Sequence, residues 1–229
     1  MILDFANRYI GGGTLHSGCV QEEILFAIEP ELCCSLAFME VMSDNDAIRI
    51  DNTILYCKHK GYGGSFSFDG NNFEDEKEKR HRVLVMDANV GSFRQFSIDN
   101  ILRDIHKAYV CFNLINFDDN ENGKFNKNIA TGNWGCGVFG GDHELKFIQQ
   151  WIAASFANVE KLEYYTFNCK EMAEISEKFR ELRKEYRTAN NLYRAITGDN
   201  GFERKKVLEI LFEKDVINAS KDESIEVMI

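Results

Sequence analysis

Residues 11–24 read Gly-Gly-Gly-Thr-Leu-His-Ser-Gly-Cys-Val-Gln-Glu-Glu-Ile, a bare-backbone loop that runs into paired carboxylates. Before the loop, Ile2 to Asn7 reads as a short buried strand; after it, Val20 to Glu29 reads as a helix ended or offset by Pro30. Strand, glycine loop and helix in immediate succession are the pattern of a layered α/β domain. The same stretch joins two chemistries. Glycine backbone approaches a phosphate closely and points N–H groups at it. Paired carboxylates are the usual tools for breaking a glycosidic bond. Together, Gly11, Gly12, Gly13, Glu22 and Glu23 point to cleavage of a sugar bond in a phosphate-containing substrate. The competing reading is structural: the glutamates complement the dipole of a helix start and the glycines make a tight turn.

Residues 131–142 read Thr-Gly-Asn-Trp-Gly-Cys-Gly-Val-Phe-Gly-Gly-Asp, with four glycines in the seven positions from Gly135 to Gly141. This cluster also precedes a helix, with Asp142 as its expected N-cap and Leu145, Ile148 and Ile152 on its buried face. One glycine loop reads more readily as a turn; two loops, each leading into a helix, suit the two ends of a diphosphate.

Other elements follow from periodicity. Arg82 to Asp87 reads as a strand. Ile98, Ile101, Leu102, Ile105, Ala108, Tyr109 and Phe112 recur at helical spacing, which predicts an amphipathic helix over 98–112. Ile129 to Thr131 and Leu162 to Phe167 read as further strands, and Lys170 to Arg194 and Glu203 to Lys214 as charged helices. Phe68 to His81, with its charge run, reads as an exposed excursion. No internal repeat or proline-rich linker interrupts the 229 residues, which suit one domain: a core to about 170 and a helical region over 171–229.

The formal net charge of −10 argues against nucleic-acid binding through a broad positive surface. Recognition of any polyanion must then come from local donors. The five histidines show no ligand spacing, so neither a zinc hydrolase nor any other metal or cofactor is expected. Seven cysteines, an odd number without Cys-x-x-Cys spacing, read as reduced thiols in a reducing compartment. No apolar run has the length of a membrane span, and no secretory signal opens the chain.

The triple glycine, the Gln21-Glu22-Glu23 that follows it, and the Thr131–Asp142 cluster resemble the catalytic domain of eukaryotic-type poly(ADP-ribose) glycohydrolases. Asp4-Phe5-Ala6-Asn7-Arg8, Pro30-Glu31-Leu32 and Tyr62 in Lys60-Gly61-Tyr62 fit the same pattern, so the resemblance covers residues 3 to about 170. It implies a macrodomain-like mixed sheet flanked by helices, with added C-terminal helices and a truncated N-terminal part. It also assigns roles. Glu23 becomes the acid that protonates the departing oxygen, Glu22 the residue holding ribose hydroxyls, Asn7 a hydrogen-bond partner of the ribose, and Asp4 its structural support. Gln21 lines the cleft, unless it is simply an exposed helix glutamine. Gly11, Gly12 and Gly13 let the backbone approach the terminal ribose and its phosphate, while Gly137, Val138, Phe139, Gly140 and Gly141 form the diphosphate loop. Tyr62 covers the substrate; Phe167 lies near the adenine, or is a core residue at a strand end.

Adjacent helix residues point about 100° apart, which favours one acid with an orienting neighbour over two carboxylates on opposite sides of a bond. A helix N-terminus depresses carboxyl pKa values, whereas burial and a like charge raise them. The implied activity is hydrolysis of ribose–ribose O-glycosidic bonds in poly(ADP-ribose), releasing ADP-ribose. The alternative is a reader of terminal ADP-ribose without efficient turnover. The resemblance further implies ADP-ribosylated proteins as partners, a monomer, no membrane, a nuclear or cytoplasmic location and a role in the DNA damage response. The family's catalytic region begins further upstream, so weaker adenine contacts and an unpaired sheet edge are expected here.

Overall fold

Ile2–Ala6 (β1) lies parallel to Arg80–Asp87, in register from Ile2 opposite Val83 to Ala6 opposite Asp87. The computed structural model describes residues 1–72, 80–91, 93–117, 127–198 and 225–228 and divides into two units, Met1–Ala88 and Asn89–Ile229. In the first unit, β1 is followed by a helix, Gln21–Ile28 (α1), a 3₁₀ segment, Pro30–Ala37, and four strands. The strands are Ile48–Ile54 (β2), Cys57–Lys60 (β3), Ser67–Asn71 (β4) and Arg80–Asp87 (β5). β5 is central, with β1 parallel on one side and β2 antiparallel on the other; Val83 to Asp87 are buried, as a strand covered on both faces requires. β3 and β4 pair as a separate antiparallel hairpin. Leu25 and Phe26 of α1 pack with Leu32, Ala6, Val83 and Val85, which fixes α1 against one face of this sheet. Each fully buried Leu or Phe there stabilises the fold by roughly 1.5–3 kcal/mol.

Two differences from the sequence reading have clear causes. β2 carries alternating Ile48 and Ile50, but Asn52 sits at φ 68° in a bulge that breaks the period after two repeats. The 68–81 excursion contains all of β4 but its first residue and the start of β5; β4 has no apolar alternation, because its residues are mostly exposed. Most of the charge run lies outside the described residues.

The second unit contains Ile98–Asn113 (α2), Asn128–Gly132 (β6), His143–Phe156 (α3), Lys161–Tyr165 (β7), Ile175–Glu185 (α4), Ala189–Thr197 (α5) and Ile225–Met228 (β8). β6 and β7 are parallel, and β8 runs antiparallel to β7. Both units thus hold parallel and antiparallel pairs with helices, the mixed α/β class expected. The helix anticipated over 203–214 lies outside the described residues. The 170–194 stretch is two helices, separated where Thr188 caps α5 by accepting from the Asn191 amide. No described helix is long and apolar enough to cross a membrane, and all seven cysteines are free thiols.

α3 departs most from a one-faced amphipathic helix. Every residue from Glu144 to Ala154 is buried, not only Leu145, Ile148 and Ile152. Phe147 meets Tyr164 and Phe179 edge-on, and Trp151 meets Phe179 likewise, so α4 closes over the helix. Its buried polar residues therefore need internal partners. Gln150 accepts from the Thr131 hydroxyl and donates to the Gly132 carbonyl, which fastens the end of β6.

Asp142 caps α3, its carboxylate accepting from the Leu145 amide at 2.9 Å. Asp142→Ala is expected to cost about 1 kcal/mol and to lower the melting temperature by about 2–4 °C. Calorimetry measures this; an unchanged melting temperature would remove the cap's contribution.

Candidate active site

The first turn of α1 sets the site in the first unit. Its N-cap, Val20, has no side-chain acceptor for the first-turn amides, and the Glu23 carboxylate makes the reciprocal contact, accepting from the Val20 amide at 2.8 Å. The other oxygen of Glu23 accepts from the Gly13 amide at 2.9 Å. Glu22 is bound in the same manner, by the Gly11 amide at 2.5 Å and the Asn7 amide at 2.9 Å. The Gly12 amide donates to the Tyr9 carbonyl at 3.1 Å. All three amides of the glycine triplet therefore have internal acceptors. This corrects the expectation that the first loop aims N–H groups at a phosphate; close backbone approach is what remains to Gly11, Gly12 and Gly13.

The loop needs glycine for another reason. Gly12 has φ +47°, and a Cβ there would stand 2.6 Å from Glu22 Oε2 and 2.8 Å from Glu23 Oε1. The two side chains leave the helix in different directions, yet both head groups converge on this one residue. The two carboxylates therefore meet at one point of the loop. Gly18, which sequence reasoning passed over, is equally constrained: its Cβ would lie 2.7 Å from Glu23 Cδ. Its only sequence signal is a glycine two residues before the helix cap.

Burial decides the electrostatics. Glu22 is 3% exposed, and desolvation pushes its pKa up to about 7 against two amide hydrogen bonds that pull it down; the Glu23 charge adds to the rise. Asp4 shares the α1-facing side of β1 with Ala6. It is fully buried and neither carboxyl oxygen has a hydrogen-bond partner among the described residues. Burial first, then the charges of Glu22 and Glu23, hold its pKa well above the usual carboxylate range. Asp4 makes no hydrogen bond to Asn7 and packs beside the two glutamates, with its pKa raised.

The remaining residues of this unit have distinct positions. Asn7 closes a turn through Oδ1, which accepts from the Tyr9 amide at 3.0 Å, and its Nδ2 has no acceptor among the described residues. Gln21 is not the free, exposed helix glutamine of the alternative reading. Its Oε1 accepts from the Phe5 amide and its Nε2 donates to the Leu3 carbonyl, so it pairs with β1 as a neighbouring strand would. Tyr62 is 41% exposed and places its hydroxyl at the Gln21 amide. Partial burial raises its pKa, and the neighbouring Glu23 and Cys19 add to the rise. The side chain therefore stands beside Glu23 at the open end of α1.

In the second unit the glycine cluster has the opposite character. Gly140 donates to the Gly137 carbonyl and Gly141 to the Gly135 carbonyl, closing the loop on itself. The amides of Gly137, Val138 and Phe139 have no acceptor among the described residues, and Val138 is 78% exposed at the tip. Successive open N–H groups are the kind of backbone from which anion sites are built. Trp134 is fully buried, and Asn133 ties the loop to β7 through the Thr166 carbonyl and the Tyr164 hydroxyl. Phe167 lies beyond the end of β7, in a turn with φ +53°. It is 75% exposed, which excludes the core alternative. Among the described residues, no group of three His, Cys, Asp or Glu could hold a metal ion.

The raised Glu22 pKa has a signed consequence. A carboxyl whose folded pKa lies above its unfolded value favours the fold while protonated, and that stability is lost as pH rises from about 4.5 to about 7. Asp4 acts in the same direction. The protein is expected to melt higher at pH 5 than at pH 8, and Glu22→Gln to flatten that difference. A slope unchanged by Glu22→Gln would contradict this. Gly12→Val is expected to destabilise the fold by about 1–3 kcal/mol, measured by urea unfolding, because the loop cannot close on both carboxylates.

Comparison with known proteins gives a consistent result. The family model described as "Poly (ADP-ribose) glycohydrolase (PARG), Macro domain fold" matches residues 1–174. Poly(ADP-ribose) glycohydrolase 1 of Arabidopsis thaliana is 32% identical over 247 residues, covering 76% of this chain and 44% of that protein. Probable poly(ADP-ribose) glycohydrolase 2 of the same plant is 30% identical, covering 85% of this chain and 44% of its own length. Poly(ADP-ribose) glycohydrolase 1 of Caenorhabditis elegans is 30% identical, covering 98% of this chain and 30% of its own length. The chain thus spans less than half the length of these curated relatives. On the match over residues 1–174, the chain belongs to the poly(ADP-ribose) glycohydrolase family, with the macro domain fold.

Proposed function

We propose that this chain hydrolyses ribose–ribose O-glycosidic bonds in poly(ADP-ribose) and releases ADP-ribose. The observation that carries the reading is the pair of carboxyls wrapped by the 7–20 backbone: Glu22 buried and raised to about pH 7, Glu23 partly exposed beside it. Exposure makes Glu23 the group that meets substrate. In its protonated form it gives that proton to the departing ribose oxygen as the other ribose gains oxocarbenium character. Water then bonds to the anomeric carbon and returns a proton to Glu23. Glu22 orders Asn7 and Gly11 through their amides, and the open Nδ2 of Asn7 is the donor offered to a ribose hydroxyl. Tyr62 shields the Glu23 end of α1.

The amides of Gly137, Val138 and Phe139 are the donors for the diphosphate, and exposed Phe167 is a stacking face for the adenine. The names of the relatives support poly(ADP-ribose) as substrate. ADP-ribosylated proteins as partners, a monomeric state and a nuclear or cytoplasmic location belong to the same proposal.

Incubation with labelled poly(ADP-ribose), followed by resolution of the products, tests it. The wild-type protein releases ADP-ribose. Glu23→Gln is expected to slow release by about 10²–10⁴-fold while ADP-ribose affinity stays within roughly tenfold. Binding without release would make the chain a reader. Near-normal turnover in Glu23→Gln would remove Glu23 as the acid.

A further inference from the structure

One buried charge in the second unit has no part in the chemistry above. Lys146 on α3 is 1% exposed and ion-paired with Asp104 on α2, itself 2% exposed. Its ammonium lies 4.6 Å from the centroid of the Trp134 ring, at the start of the glycine loop. Its Cε lies 3.0 Å from where a Gly141 Cβ would stand, at the end of the same loop. One side chain therefore lies beside both ends of the 134–141 segment, and Asp104 pairs with its tip.

Asp104 extends the connection. Its Oδ1 accepts from the Asn89 amide at 3.2 Å and from Arg103 at 3.0 Å. Two residues after Asn89, the Gly91 amide donates to the Phe139 carbonyl, and a Gly91 Cβ would stand 2.1 Å from the Gly140 carbonyl oxygen. The pair thus holds the loop from beneath and the neighbouring backbone that grips Phe139. A buried ion pair is seldom more stable than an apolar pair of similar volume. A pair placed under this loop acts through geometry more than through stability.

We propose that Lys146, through Asp104, is the positioning residue of the Gly135–Gly141 loop, setting the directions in which the Gly137, Val138 and Phe139 amides face a diphosphate. The inference rests on the functional reading given above. A rigid donor set binds an anion without the cost of ordering at the moment of binding. Loosening it weakens the contacts to phosphate and leaves the carboxyl chemistry of the first unit untouched.

The test is the double variant Lys146→Met/Asp104→Asn in the 229-residue chain, which removes both charges and leaves neither buried alone. It is expected to melt cooperatively. Amide exchange at Gly91, Gly140 and Gly141, followed by NMR, quickens. KM for the polymer and Kd for ADP-ribose rise roughly tenfold or more, while kcat stays within about threefold. A purely structural role would lower the active fraction, and with it kcat, without raising Kd. Unchanged exchange at the three amides overturns the inference, whatever the ligand result. Faster exchange with unchanged ADP-ribose affinity also overturns it. A wild-type protein that neither binds ADP-ribose nor cleaves polymer overturns instead the functional reading on which the inference rests. If the double variant does not fold, Lys146→Arg replaces it, with the same outcomes deciding.

Discussion

Four backbone amides, those of Asn7, Gly11, Gly13 and Val20, turn onto two adjacent glutamates, and the rest of the first unit is arranged to permit it. The glycines at 12 and 18 are required because any side chain there would collide with the carboxylates. Gln21 occupies β1 backbone groups that the loop leaves uncovered. Asp4, packed behind with no hydrogen-bond partner among the described residues, has its pKa raised by that burial and by the two neighbouring glutamates. The result is one largely hidden carboxyl that titrates near neutral pH and one accessible neighbour held at a fixed place.

The two glycine loops look alike in sequence and do opposite things with their backbone donors. In the first, the amides of residues 11–13 are directed inward, and the loop's role is to shape carboxylates. In the second, Gly140 and Gly141 close the ring while three preceding amides stay open. Glycine content alone cannot distinguish these cases. What distinguishes them is the presence of an acceptor within reach: paired glutamates follow the first loop, whereas the second is followed by Asp142, which is occupied in capping α3.

The fold was largely legible where the period was long and uninterrupted. The strand at 82–87, the helix at 98–112 and the helix after Asp142 were all visible, because burial there follows regular spacing. β2 was lost to a bulge after two repeats, and the β3–β4 hairpin to its lack of an apolar face. In the site, the residue types were legible and their hydrogen-bond partners were not. Nothing local in the sequence says that Gln21 pairs with Leu3 and Phe5 or that Lys146 meets Asp104, since those partners are 16 to 42 residues away. The opposing pKa effects on Glu22 likewise needed the structure, because the outcome depends on how deeply the head group is buried.

The most direct test of this account is the titration of the Glu22 carboxyl itself, followed by the ¹³Cδ chemical shift with selective glutamate labelling and assigned by comparison with Glu22→Gln. Burial outweighing two amide hydrogen bonds predicts a midpoint near pH 7. A midpoint at the ordinary glutamate value of about 4.5 would contradict it, and the burial of Glu22 would no longer explain the site.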